Sequence, residues 1–172
     1  MHFYKTIFVL LIMFTNSKLF SYEEGIALNG DLEIYYRDYG PKDAEPILLV
    51  QGIGGQLINW PEHLIDFLLD NNFRPIVYDN RDTGLSSRIP SDSFSDAKRD
   101  NTIVKNYIRY YLRLPIKSDY TLDDMAVDGI SVLNKLDISE AHILGISMGG
   151  MIAQIIVSSH PERTKTFTLI AS

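Results

Sequence analysis

"AHILGISMGGMIAQIIVSSHPER", residues 141–163, sets a short apolar run against an amphipathic segment, with one serine at the junction. Residues 141–146 read as a buried strand, and Met148, Met151, Ile152, Ile155 and Ile156 then recur at helical spacing over 148–159. Between them lies Gly145-Ile146-Ser147-Met148-Gly149, a G-x-S-x-G at a strand-to-helix junction, the context that gives this spacing chemical meaning. Glycines two positions to either side admit a tight turn without β-carbon clashes, and the turn lifts the Ser147 hydroxyl above the sheet edge. The helix N-terminus beside it offers the Met148 N–H and the positive end of a dipole to a developing oxyanion. A bare G-x-S-x-G also fits a glycine-rich turn with an ordinary solvated serine, so the flanking segments decide between the two.

Working outward, "TKTFTLIAS" reads as a last strand. Thr121 and Asp124 have capping-box spacing ahead of Leu122, Met125, Ile130, Leu133 and Leu136, which predicts an amphipathic helix over 121–136. "FRPIVYD" is a short apolar strand ending at Asp79, followed by the turn-rich "NRDTGLSSR". Residues 47–50 form another buried strand, ending at Gln51-Gly52, and the glycine loop after it leads to a helix. For that helix Asn59 and Glu62 are spaced as a capping box, Pro61 suits the first turn, and Leu64, Phe67 and Leu68 share a face. In "IALNGDLEIYYRDYG", Leu32, Ile34 and Tyr36 alternate with Glu33, Tyr35 and Arg37, and Asn29-Gly30 is a hairpin signal, so an antiparallel pair is expected at a sheet edge. Residues 87–100 are polar and loop-like, and 101–113 carry apolar residues at helical spacing. The alternation of strands and helices predicts a doubly wound, mostly parallel α/β sheet with right-handed crossovers.

The 172 residues are 45% hydrophobic and 22% charged, enough for one compact domain with a core. A net charge of -6, with no Lys/Arg-rich run, argues against a nucleic-acid partner. Without cysteine there is no disulfide framework, thiolate metal site or cysteine nucleophile, and no cofactor or metal cluster is visible. The N-terminus has Lys5, an apolar run over 7–14 and small or polar residues before Glu23, the layout of a secretory signal peptide over 1–21. Cleavage after Ser17 or Ser21 would export the remainder to the periplasm or medium. Including Leu19 and Phe20 leaves an uncleaved membrane anchor as the alternative, and the membrane is expected as a partner only through this leader.

The loop "QGIGG" also follows a central strand and directs backbone N–H groups toward the carboxyl ends of the strands, where Ile53 N–H would be a second oxyanion donor. "QGIGGQ" lacks the Lys-Ser/Thr of a P-loop and the spacing of a dinucleotide fingerprint. Together, "ILLVQGIGGQLINWP", "IVYDNRDTGLSS" (in place of D-x-R-G-x-G-x-S) and the stretch from Ala141 onward resemble the α/β-hydrolase superfamily over residues 24–172. The resemblance is to small serine ester hydrolases of the anthracycline methyl esterase branch, where "DNRDTGLS" and "YTLDDMAVD" have near counterparts. It implies Ser147 as nucleophile, Ile53 and Met148 as backbone oxyanion donors, Gly52, Gly145 and Gly149 as loop and elbow glycines, and no cofactor or metal. Asp79 would hold its own loop, and Gln51 stands where many members carry His.

In such enzymes the acid and the histidine follow the nucleophile in the chain. Here 172 residues end soon after Ser147, so the stretch from 22 onward is expected to be the N-terminal part of such a domain, incomplete at the C-terminus. His2 lies in the leader. His142 sits at the far end of the strand, roughly 16 Å from Ser147 at 3.3 Å per residue. His160 lies roughly 18 Å along the following helix. His63, in the first turn of the helix after the oxyanion loop, is the one contestable surrogate base. The expected activity is hydrolysis of a small, hydrophobic carboxylic ester, with this chain supplying the nucleophile and oxyanion half and inactive alone. A truncated non-catalytic homologue that binds partners, and an acyltransferase or lyase on the same fold, remain alternatives. The segment 101–113 fits either a hydrophobic substrate wall or core packing.

Overall fold

The computed structural model describes residues 21–89, Arg109, Leu112 and 118–171. The leader up to residue 20, most of the 87–100 loop and all but two residues of the 101–113 segment lie outside the described residues. Among those described, no helix is long and apolar enough to cross a membrane.

Strands β1 (Glu23–Asn29) and β2 (Leu32–Asp38) form the expected antiparallel hairpin. Asn29 pairs with Leu32, so the two-residue loop is Gly30-Asp31, one position later than the Asn-Gly signal placed it. Gly30 has φ +61, the left-handed backbone that such a turn requires and glycine adopts without penalty. Then come β3 (Glu45–Val50), a 3₁₀ turn (Leu57–Asn59), α1 (Glu62–Asp70) and β4 (Phe73–Tyr78). After these come α2 (Leu122–Lys135), β5 (Ala141–Ile146), α3 (Met148–Ser159) and β6 (Thr164–Ile170). The six strands lie in the order β1-β2-β4-β3-β5-β6. The pairs β4-β3, β3-β5 and β5-β6 are parallel, and β2 joins β4 antiparallel. The doubly wound, mostly parallel sheet is as expected.

Strand alternation divides the core in two. Leu48 and Val50 of β3, Ile76 and Tyr78 of β4 and Ile143 of β5 face α2 and α3, meeting Met125, Ile130, Leu133, Ile152 and Ile156. Ile47, Leu49, Val77 and Leu144 point the other way, onto Leu57, Trp60, Ile65 and Leu68. Each fully buried Leu or Ile contributes about 1.5–3 kcal/mol relative to exposure, so helices on both faces are what these central strands need.

Three details differ from the sequence reading. Asn59 does not cap α1. Its side chain accepts from the Gln56 N–H at 2.7 Å, closing the 3₁₀ turn, and Pro61 precedes α1 with no side-chain cap. The buried face of α1 is centred on Ile65 and Leu68, leaving Phe67 exposed, because the sheet contacts the helix a quarter-turn from the expected stripe. On α3, Met151 is half exposed, and Ile152, Ala153 and Ile156 make the contact. The Thr121/Asp124 box on α2 forms as expected, the Thr121 N–H donating to Asp124 Oδ2 at 2.7 Å.

Candidate active site

Ser147 occupies the single residue between β5 and α3, with φ 54 and ψ −126. A left-handed φ on a residue with a β-carbon costs of order 1–3 kcal/mol and persists only where the surroundings over-determine it. Here they do. The Ser147 N–H donates to the Ile170 carbonyl at 2.9 Å, and its own carbonyl accepts from Gly150 N–H at 2.8 Å.

The flanking glycines let backbone approach backbone. A β-carbon on Gly145 would stand 2.3 Å from the Gly149 carbonyl oxygen, and one on Gly149 would stand 2.1 Å from the Val50 carbonyl oxygen. Strand β3 and the first turn of α3 therefore touch where no side chain fits. Gly52 is the bridge between loop and turn: its missing β-carbon would lie 3.1 Å from Ser147 Cβ and 3.6 Å from Ser147 Oγ. The loop after β3 and the turn after β5 thus meet at the carboxyl edge of the sheet, with Ser147 exposed there.

Beyond Gly52 the chain turns tightly, Gly55 N–H donating to the Gly52 carbonyl at 3.1 Å and Gly54 sitting at φ +68. Gln51 is buried, and its Oε1 would lie 2.7 Å from a β-carbon on Gly55, so this side chain packs inside the loop. Ile53 projects its side chain into solvent. No backbone hydrogen bond among the described residues uses the N–H of Ile53 or of Met148.

The turn after β4 holds this loop in place. Asp79 accepts from Leu57 N–H at 2.8 Å through Oδ1 and from Leu85 N–H at 2.9 Å through Oδ2. It therefore secures its own turn, as expected, and one end of the neighbouring loop as well. Gly84, at φ +54, passes so close that a β-carbon would stand 2.0 Å from Asp79 Oδ2. Arg81 forms a buried bidentate pair with Asp128 of α2, Nε to Oδ2 at 2.6 Å and Nη2 to Oδ1 at 2.8 Å, and also donates to the Asp124 carbonyl. Asn29 Nδ2 donates to the same carboxylate at 2.8 Å. Donating these hydrogen bonds to the Asp128 carboxylate raises the Arg81 guanidinium pKa. Burial, with the Asp128 charge, pushes the Tyr78 hydroxyl far above its ordinary range. Sequence reading did not single out Asp128, although it closes the stretch "YTLDDMAVD", one helical turn after Asp124.

A cavity of about 490 Å³ opens beside the turn, walled by Ile53, Met148, Leu122, Met125, Tyr120 and Thr83 among others. Burial and a hydrogen bond with Asp82 raise the Tyr120 hydroxyl to about 12. The two residues nominated as oxyanion donors thus border one cavity. His63 is exposed on α1. His142 Nδ1 sits 2.7 Å from Thr166 Oγ1, at the opposite edge of the sheet from Ser147, and His160 ends α3 beside Glu162.

Comparison with known proteins agrees with this geometry. A profile described as the alpha/beta hydrolase fold matches residues 45–172. Rhodomycin D methylesterase DnrP of Streptomyces peucetius is 29% identical over 158 residues, covering 92% of this chain and 41% of the relative. Rhodomycin D methylesterase DauP of Streptomyces sp. (strain C5) is 31% identical over 130 residues, 76% of this chain and 35% of the relative. The crystal structure of a hydrolase from Pseudomonas aeruginosa PA01 superposes with a TM-score of 0.61 at 25% identity, over 85% of this chain and 44% of that one. A Vigna radiata epoxide hydrolase mutant reaches 0.66 at 16% identity over 88% and 39%, a likeness of fold. The chain spans about two fifths of the length of these relatives, which carry hydrolase and esterase names. With its sheet order, its serine turn and its profile match over most of its length, the chain belongs to the alpha/beta hydrolase fold family.

Proposed function

We propose that Ser147 is the nucleophile of a hydrolase acting on small, hydrophobic carboxylic esters. The observation that carries this reading is the left-handed backbone of Ser147 at the strand-to-helix junction, with Gly52 packed against its side chain. The methylesterase names of the relatives support an ester as substrate. The cavity between Ile53, Met148, Leu122 and Met125 suits the apolar part of such a molecule.

In this reading Ser147 Oγ attacks the ester carbonyl carbon while its proton passes to a base. The N–H groups of Ile53 and Met148 stabilise the oxyanion, and the leaving alkoxide takes up the proton and departs as alcohol. Water then attacks the acyl-serine, releasing the acid and restoring the hydroxyl. His63 is exposed on α1, His142 lies at the start of β5 and His160 at the end of α3, so the base and its orienting acid are proposed to come from sequence outside these 172 residues. The isolated chain is accordingly proposed to be inactive. Export directed by residues 1–21 belongs to the same proposal.

The test is hydrolysis of a short-chain aryl ester by the protein containing this chain, in native form and as Ser147→Ala. A loss of three or more powers of ten on substitution supports the reading. Undiminished hydrolysis refutes it.

A further inference from the structure

We propose that Asn80 is a positioning residue for the oxyanion loop, fixing the Gln51 carbonyl so that the next peptide presents the Ile53 N–H to the reacting oxygen. This rests on the reading of Ser147 as nucleophile given above.

Asn80 Nδ2 donates to the Gln51 carbonyl at 3.0 Å, and both residues are buried. That carbonyl is also the one crowded by α3, since a β-carbon on Gly149 would stand 2.6 Å from its oxygen. The Gln51–Gly52 peptide is therefore held on two sides, by the Asn80 amide and by the helix carrying Met148. Its orientation sets the starting direction of the Gly52–Ile53 peptide, whose own carbonyl is tied to Gly55 N–H. A trans peptide points its N–H opposite to its carbonyl, so Ile53 N–H is aimed away from the loop interior. Asp79, the neighbour of Asn80, grips the far end of the same loop at Leu57 N–H. Two consecutive residues at the end of β4 thus clamp the loop at both ends.

The other half of the Asn80 amide is the telling feature. Its Oδ1 is buried with no hydrogen-bond partner among the described residues. A buried unsatisfied acceptor costs about 1–3 kcal/mol; an apolar side chain of similar volume removes this one and leaves the Gln51 carbonyl without its Asn80 donor, an exchange close to neutral for the fold. An amide kept at that cost fits a role in orientation, and leucine, close to asparagine in shape and without polar atoms, separates orientation from packing.

The experiment compares native protein, Asn80→Leu, Asn80→Asp and Ser147→Ala in the protein containing this chain, by steady-state ester hydrolysis, thermal unfolding and amide hydrogen exchange. For Asn80→Leu the inference predicts a kcat lower by tenfold to a hundredfold, less than the loss of a donor itself, since the donor remains but is misaimed. KM should stay within about twofold, Tm should stay close to native, and exchange at Ile53 and Gly52 should be faster. Asn80→Asp, which sets an acceptor against the Gln51 carbonyl, should lose at least as much kcat. An Asn80→Leu kcat within twofold of native, or one that falls only alongside Tm, overturns the inference while leaving Ser147 as nucleophile. Native-level hydrolysis by Ser147→Ala instead overturns the reading on which it rests.

Discussion

The Val50 carbonyl oxygen lies 2.1 Å from the point where a β-carbon on Gly149 would stand, so the first turn of α3 seats directly on the end of strand β3. The end of β3, from which the Gln51–Gly55 loop departs, and the serine turn are held at fixed separation by backbone contact. Gly149→Ala should cost at least about 2 kcal/mol, from the overpacking that displaced backbone imposes. Gly30→Ala, left-handed but in open space, should cost only about 1–2 kcal/mol. Urea denaturation of both variants checks the ordering, and a Gly149→Ala variant less perturbed than Gly30→Ala would contradict it.

Asp128 neutralises Arg81 inside the protein and receives Asn29 as well. Asp128→Ala strands a buried guanidinium, for an expected loss of about 3–5 kcal/mol, whereas the pair Arg81→Met with Asp128→Leu should recover much of it. Equilibrium unfolding of single and double variants measures the difference. A double variant no better than the single one would show that the charges themselves hold α2 to the turn.

Hydrogen bonds from the Thr121 N–H, then from its hydroxyl, hold the exposed Asp124 carboxyl below its ordinary range. A carboxylate depressed in the folded state contributes stability above its unfolded pKa and loses it as pH falls through the folded value. The stability difference between native protein and Asp124→Asn, at most about 1 kcal/mol for an exposed cap, should therefore shrink from about pH 6 to pH 3. Denaturation curves at several pH values test this, and a gap independent of pH would speak against it.

Export by the leader predicts a mature N-terminus just after Ser17 or Ser21. Mass spectrometry of the protein made in an exporting cell should find one of these, and a soluble cytosolic pool beginning at Met1 would count against export.

Apolar periodicity carried most of the architecture. The runs at 47–50, 73–78 and 141–146 are strands because both of their faces are covered, and the Thr121/Asp124 box marks α2 because its partners are three residues apart in sequence. Ser147 and its glycines were legible for the same reason, since the motif is local. The face of α1 was misjudged because Ile65 and Phe67 are equally apolar, and only the position of the sheet decides which is covered. The Asn80–Gln51 clamp and the Arg81–Asp128 pair join residues 29 and 47 positions apart, through contacts that no short pattern encodes.

The most direct measurement is to label the nucleophile covalently, the serine oxygen displacing aryloxide from a phosphonate to give a stable phosphonyl-serine. Incubation of the protein containing this chain with a short-chain aryl phosphonate, followed by proteolysis and mass spectrometry, should place the adduct on Ser147 and on no other serine, and Ser147→Ala should take up none. Adduct on another residue, or labelling unaffected by Ser147→Ala, would contradict the assignment of Ser147 as nucleophile.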